Sequence, residues 1–175
     1  MGVNRGMMTS ATDLWATPQW LFDELNREFG FTLDACALPE NAKCEKYYTP
    51  EVDGLTQVWP GIVYCNPPYG KEVGVWTKKA AHEVSVGNAD IVVMLLPART
   101  DTKWFHKLWE NKNVEVRFLK GRLKFNDGKG SAPFPSMVCV FAKGREMDDR
   151  IHRRPYYGEK GLQRGFRKSR ANAQK

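Results

Sequence analysis

Apolar residues recur along this chain with two distinct periods, and the switches between them outline the elements of a fold. Thr17-Pro18 precedes Leu21, Phe22, Leu25 and Phe29. That spacing predicts a helix with Thr17 as N-cap, Pro18 at the first helical position and Gly30 as its stop. Phe31 to Ala37 is a short β-prone run ending in small residues. Residues 38–60 carry turn signals, a Tyr47-Tyr48 pair and Asp53-Gly54, and predict an irregular stretch before a strand over Gly61 to Cys65. Val73, Trp76, Ala80 and Val84 then return to helical spacing, and Asp90 to Leu96 forms the continuous Ile/Val/Leu run of a buried central strand.

Thr100 or Asp101 can cap a further helix carrying Trp104, Phe105, Leu108 and Trp109. Three strands are predicted after it, over Val114 to Leu119, Gly121 to Phe125 and Ser136 to Phe141. Alternating strands and helices followed by consecutive strands predict an α/β sheet, largely parallel, with an antiparallel hairpin at one edge. Most of the six tryptophans fall at helical spacing and read as core.

Composition narrows the class. A chain of 175 residues with 42% hydrophobic and 27% charged residues matches one globular domain. Its longest apolar run, Ile91 to Ala98, is too short to cross a bilayer, and no secretory signal opens the chain, so no membrane partner and a cytoplasmic location are expected. The net charge of +7 sits entirely in residues 151–175, where eight Lys/Arg face only Glu159. Such a tail suits a polyanion such as nucleic acid, although a merely solvated end has the same composition. The expected organisation is a flexible N-terminus over 1–14, one domain over 15–143 and a basic tail over 144–175, forming a monomer or weak dimer. Cys36, Cys44, Cys65 and Cys139 include no C-x-x-C pair and the three histidines are far apart, so neither a metal site nor a disulfide framework is indicated.

The sharpest local signal is Asn66-Pro67-Pro68-Tyr69 directly after the strand ending at Cys65. Two successive prolines remove two amide donors and hold the asparagine extended at the strand's carboxyl end. In an open α/β sheet that edge is where ligands bind. The Asn66 side-chain oxygen and the Pro67 carbonyl can act there as two acceptors beside the flat face of Tyr69, a combination suited to a planar NH₂ group.

With Ala16 to Phe22, Phe31 to Ala37, Asp53 to Leu55, Asn66 to Gly70, Leu95 to Asp101 and Pro133 to Val138 in that order, residues 15–143 resemble the N6-adenine DNA methyltransferases. Within them the chain is most similar to the short Dam-family enzymes of bacteriophages. The resemblance implies a Rossmann-like sheet of the class I S-adenosylmethionine-dependent methyltransferases. It implies methyl transfer to the N6 amine of an adenine flipped out of duplex DNA, with protection of phage DNA against host restriction as a plausible purpose. Asn66 and Pro67, shaped by Pro68, would accept hydrogen bonds from the adenine amine, and Tyr69 would stack on the base. S-adenosylmethionine would lie against Asp34, Ala35 and Cys36, against Asp53, Gly54 and Leu55, and against Asn66, with Thr17 at its methionine end. The turn Asp34-Ala35-Cys36-Ala37 lacks the glycines usual at that place.

Lys120, Arg122 and Lys124 alternate with apolar residues and offer one basic face to DNA phosphates, which is also how a solvated strand face reads. Arg99, just after the buried strand and on the same sheet edge as Asn66, could reach phosphate or base of the DNA. Phe134, with Phe125 as second choice, resembles the position from which related enzymes stack on the flipped base, and core packing is the competing role. Without an inserted recognition domain, sequence choice would fall to loops within residues 99–135. Two alternatives remain at this level. One is another planar NH₂ acceptor, an RNA base or a protein glutamine. The other is a non-catalytic DNA-binding relative.

Overall fold

The computed structural model describes residues 15–125 and 131–143. The N-terminal stretch 1–14 and the basic tail 144–175 lie outside the described residues. Eight elements follow one another: α1 (Gln19–Phe29), β1 (Leu33–Asp34), β2 (Gly61–Cys65), α2 (Val73–Val86), β3 (Ala89–Pro97), α3 (Lys103–Trp109), β4 (Val114–Phe118) and β5 (Ser136–Ala142). The strands form one sheet in the order β1-β2-β3-β5-β4. The pairs β1–β2 and β2–β3 are parallel, and β5 runs antiparallel to both β3 and β4. Four of the five strands therefore point the same way, in a largely parallel mixed α/β sheet.

Alternation within the strands separates two cores. Val63, Cys65, Val92, Met94, Leu96, Met137 and Cys139 face α2 and α3, while Tyr64, Val93, Leu95, Val138 and Val140 face α1. On α1 the buried residues are Leu21, Phe22, Leu25 and Phe29, the four that the spacing selects. Full burial of each such side chain contributes roughly 1.5–3 kcal/mol, enough to hold a three-turn helix against the sheet. The C-terminal end of α1 is tied to the edge strand by Arg117, whose guanidinium reaches both Glu28 and Glu115.

Three local expectations change. Pro18 rather than Thr17 occupies the N-cap of α1, and no side chain caps it; the Leu21 and Phe22 amides reach the Pro18 carbonyl instead. For α3 the cap is Thr102, whose hydroxyl accepts from the Phe105 amide, and not Thr100 or Asp101. Gly121 to Phe125 is no strand. Gly121 takes a left-handed φ of 80° and turns the chain off the sheet, and β5 inserts between β3 and β4, so both sides of β5 are already paired. Only an isolated bridge from Lys124 to Ser131 remains. The tryptophans also divide: Trp59 and Trp76 are buried, whereas Trp109 is 48% exposed.

One close approach shapes the end of β1. A Cβ on Gly54 would stand 2.2 Å from the Ala35 carbonyl oxygen, which is backbone and has little freedom to move. The Gly54 carbonyl in turn accepts from the Trp59 indole N–H at 2.7 Å. Glycine therefore lets residues 53–55 press against residues 34–35. Gly54→Ala is expected to destabilise the fold by about 1–3 kcal/mol, read as a lower urea midpoint; an unchanged midpoint would show that this contact is not constrained.

Candidate active site

The carboxyl ends of β1 and β2, the segment before α1 and the irregular stretch 38–54 enclose one hollow. Counting its open mouth, it contains about 980 Å³, room for a ligand the size of a nucleoside. Thr17, Asp34, Ala35, Cys36, Asp53, Gly54, Asn66, Pro67 and Pro68 all line it. The sequence thus brings two separate runs and the proline loop to one place. Leu55 lies instead against the α2-side core.

Asn66 is the first residue beyond β2. Period-2 alternation puts it on the face of Ile62 and Tyr64, toward α1. Its Nδ2 donates to the Trp15 carbonyl at 2.5 Å and to Thr17 Oγ1 at 3.0 Å. A carbonyl oxygen only accepts, so the amide nitrogen must be the atom on that side and Oδ1 the atom opposite. Oδ1 is buried and has no partner among the described residues. A buried acceptor left in this state costs about 1–3 kcal/mol. No described residue donates to the Pro67 carbonyl either.

Asp34 is 2% exposed, and its two carboxylate oxygens accept the backbone N–H groups of Cys36 and Lys43. It thereby shapes the turn that has alanine where glycine is usual. Burial pushes its carboxyl up to about 6, against the lowering effect of those two N–H groups and the Lys43 charge. Asp53 is the one non-glycine residue with positive φ among the described residues, at 55°, and its Oδ1 accepts the Leu55 amide. Burial first, then the Asp34 and Asp53 carboxylates, push the Cys36 thiol up to about 12. Burial and Asp34 do the same to Cys44. Both therefore remain neutral thiols. Among the described residues no group of three or more His, Cys, Asp or Glu could hold a metal ion, and no helix is long and apolar enough to cross a membrane.

Tyr69 does not present a free ring. It is 6% exposed, its hydroxyl donates to the Leu95 carbonyl at 3.2 Å, and its ring meets Phe134 and Phe125 edge-on. The tetrad is completed by Trp15, whose centroid is 5.3 Å from both phenylalanines. Phe125 is buried, whereas Trp15 and Phe134 are only partly covered. Lys120, Arg122 and Lys124 are exposed and Leu123 is buried, so the two faces persist although the strand does not. Arg99 is exposed just beyond β3. Sequence reasoning missed Trp15 and Tyr64. The alternation Ile62, Tyr64, Asn66 would have found Tyr64, but nothing local marks the Trp15 carbonyl.

A family model described as DNA N-6-adenine-methyltransferase (Dam) matches residues 6–144. The chain belongs to the Dam family. This Dam-family chain is 38% identical over 120 residues to the DNA N-6-adenine-methyltransferase of Haemophilus phage HP1, covering 66% of this chain and 68% of that protein. To the DNA N-6-adenine-methyltransferase of Escherichia phage T1 it is 37% identical over 114 residues, 63% of this chain and 46% of the T1 protein. It also superimposes on the crystal structure of the 23S rRNA methyltransferase ErmE with a TM-score of 0.48 and 12% identity, over 86% of this chain and 75% of that one.

The Asp34 shift has a consequence for stability. A carboxyl raised from 3.8 to about 6 on folding contributes stability that is complete below 3.8 and lost as pH rises through 6. The loss is about 3 kcal/mol. In urea titrations between pH 4 and 7, stability of the wild type is expected to fall more steeply than that of Asp34→Asn; parallel profiles would refute the shift.

Proposed function

We propose that this Dam-family chain transfers a methyl group from S-adenosylmethionine to the N6 amine of adenine in double-stranded DNA, with Asn66 as the residue that receives the amine. The single observation that carries this reading is the buried Oδ1 of Asn66, an acceptor aimed away from its own hydrogen-bond partners at the carboxyl end of β2. A planar NH₂ donor is its chemical complement. The Pro67 carbonyl supplies a second acceptor, held by the following proline ring, and together they orient the amine's lone pair. No strong base is needed for this role.

The donor set of the hollow fits the cofactor. S-adenosylmethionine supplies an electrophilic methyl on a sulfonium. Asp34 and Asp53 offer carboxylate oxygens to ribose hydroxyls and to amines; Asp53 Oδ2 has no partner among the described residues. Ala35, Cys36 and Gly54 keep the walls of the turn low, and partly buried Leu55 packs behind it.

An adenine must leave the duplex before its amine can reach Asn66, and it then needs a π surface. We assign that surface to Phe134 with Trp15, while Tyr69 and Phe125 brace them from below. Arg99, Lys120, Arg122 and Lys124 lie exposed and contact phosphates, with the tail 144–175 adding affinity that falls with salt. The domain boundaries at 15 and 143, a monomeric or weakly dimeric state, and action in the cytoplasm of a bacterial host belong to the same reading.

The test is transfer of labelled methyl to duplex DNA, with nucleoside analysis and with RNA and bacterial protein as parallel acceptors. Label is expected in N6-methyladenine. Asn66→Ala is expected to lower kcat by at least about 100-fold while calorimetric cofactor binding persists. Label in RNA or protein would move the acceptor, and wild-type rates in Asn66→Ala would overturn the assignment.

A further inference from the structure

The segment before α1 crosses the end of β2 at a small, closed set of polar atoms. Asn66 Nδ2 spends both of its hydrogens there, one on the Trp15 carbonyl at 2.5 Å and one on Thr17 Oγ1 at 3.0 Å. Thr17 Oγ1 lies 2.6 Å from the Tyr64 hydroxyl. Thr17 is 5% exposed and Tyr64 only 1%. Burial pushes the Tyr64 phenol well above its ordinary range, so the hydroxyl is neutral.

The hydrogen count explains the arrangement. Asn66 must be the donor toward Trp15, because a backbone carbonyl cannot donate. Thr17 Oγ1 has two lone pairs and one hydrogen, which allows it to accept from Asn66 and still exchange a hydrogen bond with Tyr64 in either polarity. Turning the carboxamide over would set its oxygen against the Trp15 carbonyl, two acceptors face to face, so that bond is lost even though the Thr17 hydroxyl could then donate to the oxygen.

We propose that Thr17 and Tyr64, with the Trp15 carbonyl, form a latch that fixes the rotamer and amide orientation of Asn66 so that only Oδ1 faces the hollow. Thr17 is then a positioning residue acting through Asn66. The proposal rests on the reading of Asn66 as the acceptor of the target amine.

Thr17→Val removes the hydroxyl while keeping the branched shape, and Thr17→Ser keeps the hydroxyl. In Thr17→Val, kcat for methyl transfer is expected to fall about 30-fold with the cofactor Kd within about threefold of wild type. Thr17→Ser is expected to restore kcat to within about threefold, and Tyr64→Phe to give a loss smaller than that of Thr17→Val. The second readout is independent of activity. The Asn66 side-chain NH₂ resonances, assigned by their disappearance in Asn66→Ala, are expected to be slow to exchange in the wild type, and one of the pair is expected to lose that protection in Thr17→Val.

Wild-type kcat in Thr17→Val with an unaltered amide pair would overturn the latch. Weakening of the cofactor Kd by more than about tenfold with kcat retained would overturn it in favour of a cofactor contact. Should the wild-type chain transfer no methyl group to any acceptor, the proposed function fails. The amide resonances then decide the latch alone, for it if Thr17→Val exposes one proton and against it if the pair is unchanged.

Discussion

The run Val92 to Leu96 in β3 has no measurable exposure, and the remaining elements can be derived from what it takes to bury it. A strand sealed on both faces needs a backbone partner on each side and an apolar layer above and below. β2 and β5 supply the partners; α1 covers one face, and α2 with α3 covers the other. Because β1, β2 and β3 run parallel, their carboxyl ends share an edge. The segments that follow β1 and β2 leave from that edge, and the hollow opens beside them.

What the edge presents is governed by backbone chemistry as much as by side chains. Pro67 and Pro68 cannot donate, so the chain beyond β2 cannot extend the ladder. Asn66 is left at the last position where strand alternation still dictates direction. Across the hollow, Gly54 allows residues 53–55 to touch the Ala35 carbonyl, and the Asp34 carboxylate gathers the Cys36 and Lys43 amides into a compact turn. Two acidic residues and Asn66 therefore line a single enclosure whose Cys36 thiol remains neutral. Such a set is built to accept hydrogen bonds, which suits substrates rich in N–H and O–H groups better than a nucleophilic or metal-assisted reaction.

The aromatic tetrad on the α1 side performs a related task of support. Tyr69 is anchored by the Leu95 carbonyl and sits under Phe134, and Trp15 bridges Phe134 and Phe125. Trp15 thus contributes its ring to this cluster and its carbonyl to Asn66. The proline loop, the segment before α1 and the turn before β5 are consequently coupled at one residue, although they are distant in the chain.

Much of this was legible without coordinates. Hydrophobic spacing located the three helices of the described residues and the buried central strand. Asn66-Pro67-Pro68 was legible as a local consequence of backbone sterics, and the family resemblance added Asp34 and Asp53, which line the same hollow. Partnership was not legible. Which strand lies between which decided that Gly121 to Phe125 stays outside the sheet, and the packing around Tyr69 decided that its ring is buried. The orientation of the Asn66 amide depends on a carbonyl 51 residues away in sequence. Hydrogen-bond partners of this kind are set by distance and angle in three dimensions, and every residue has a backbone carbonyl, so no residue type or spacing announces them.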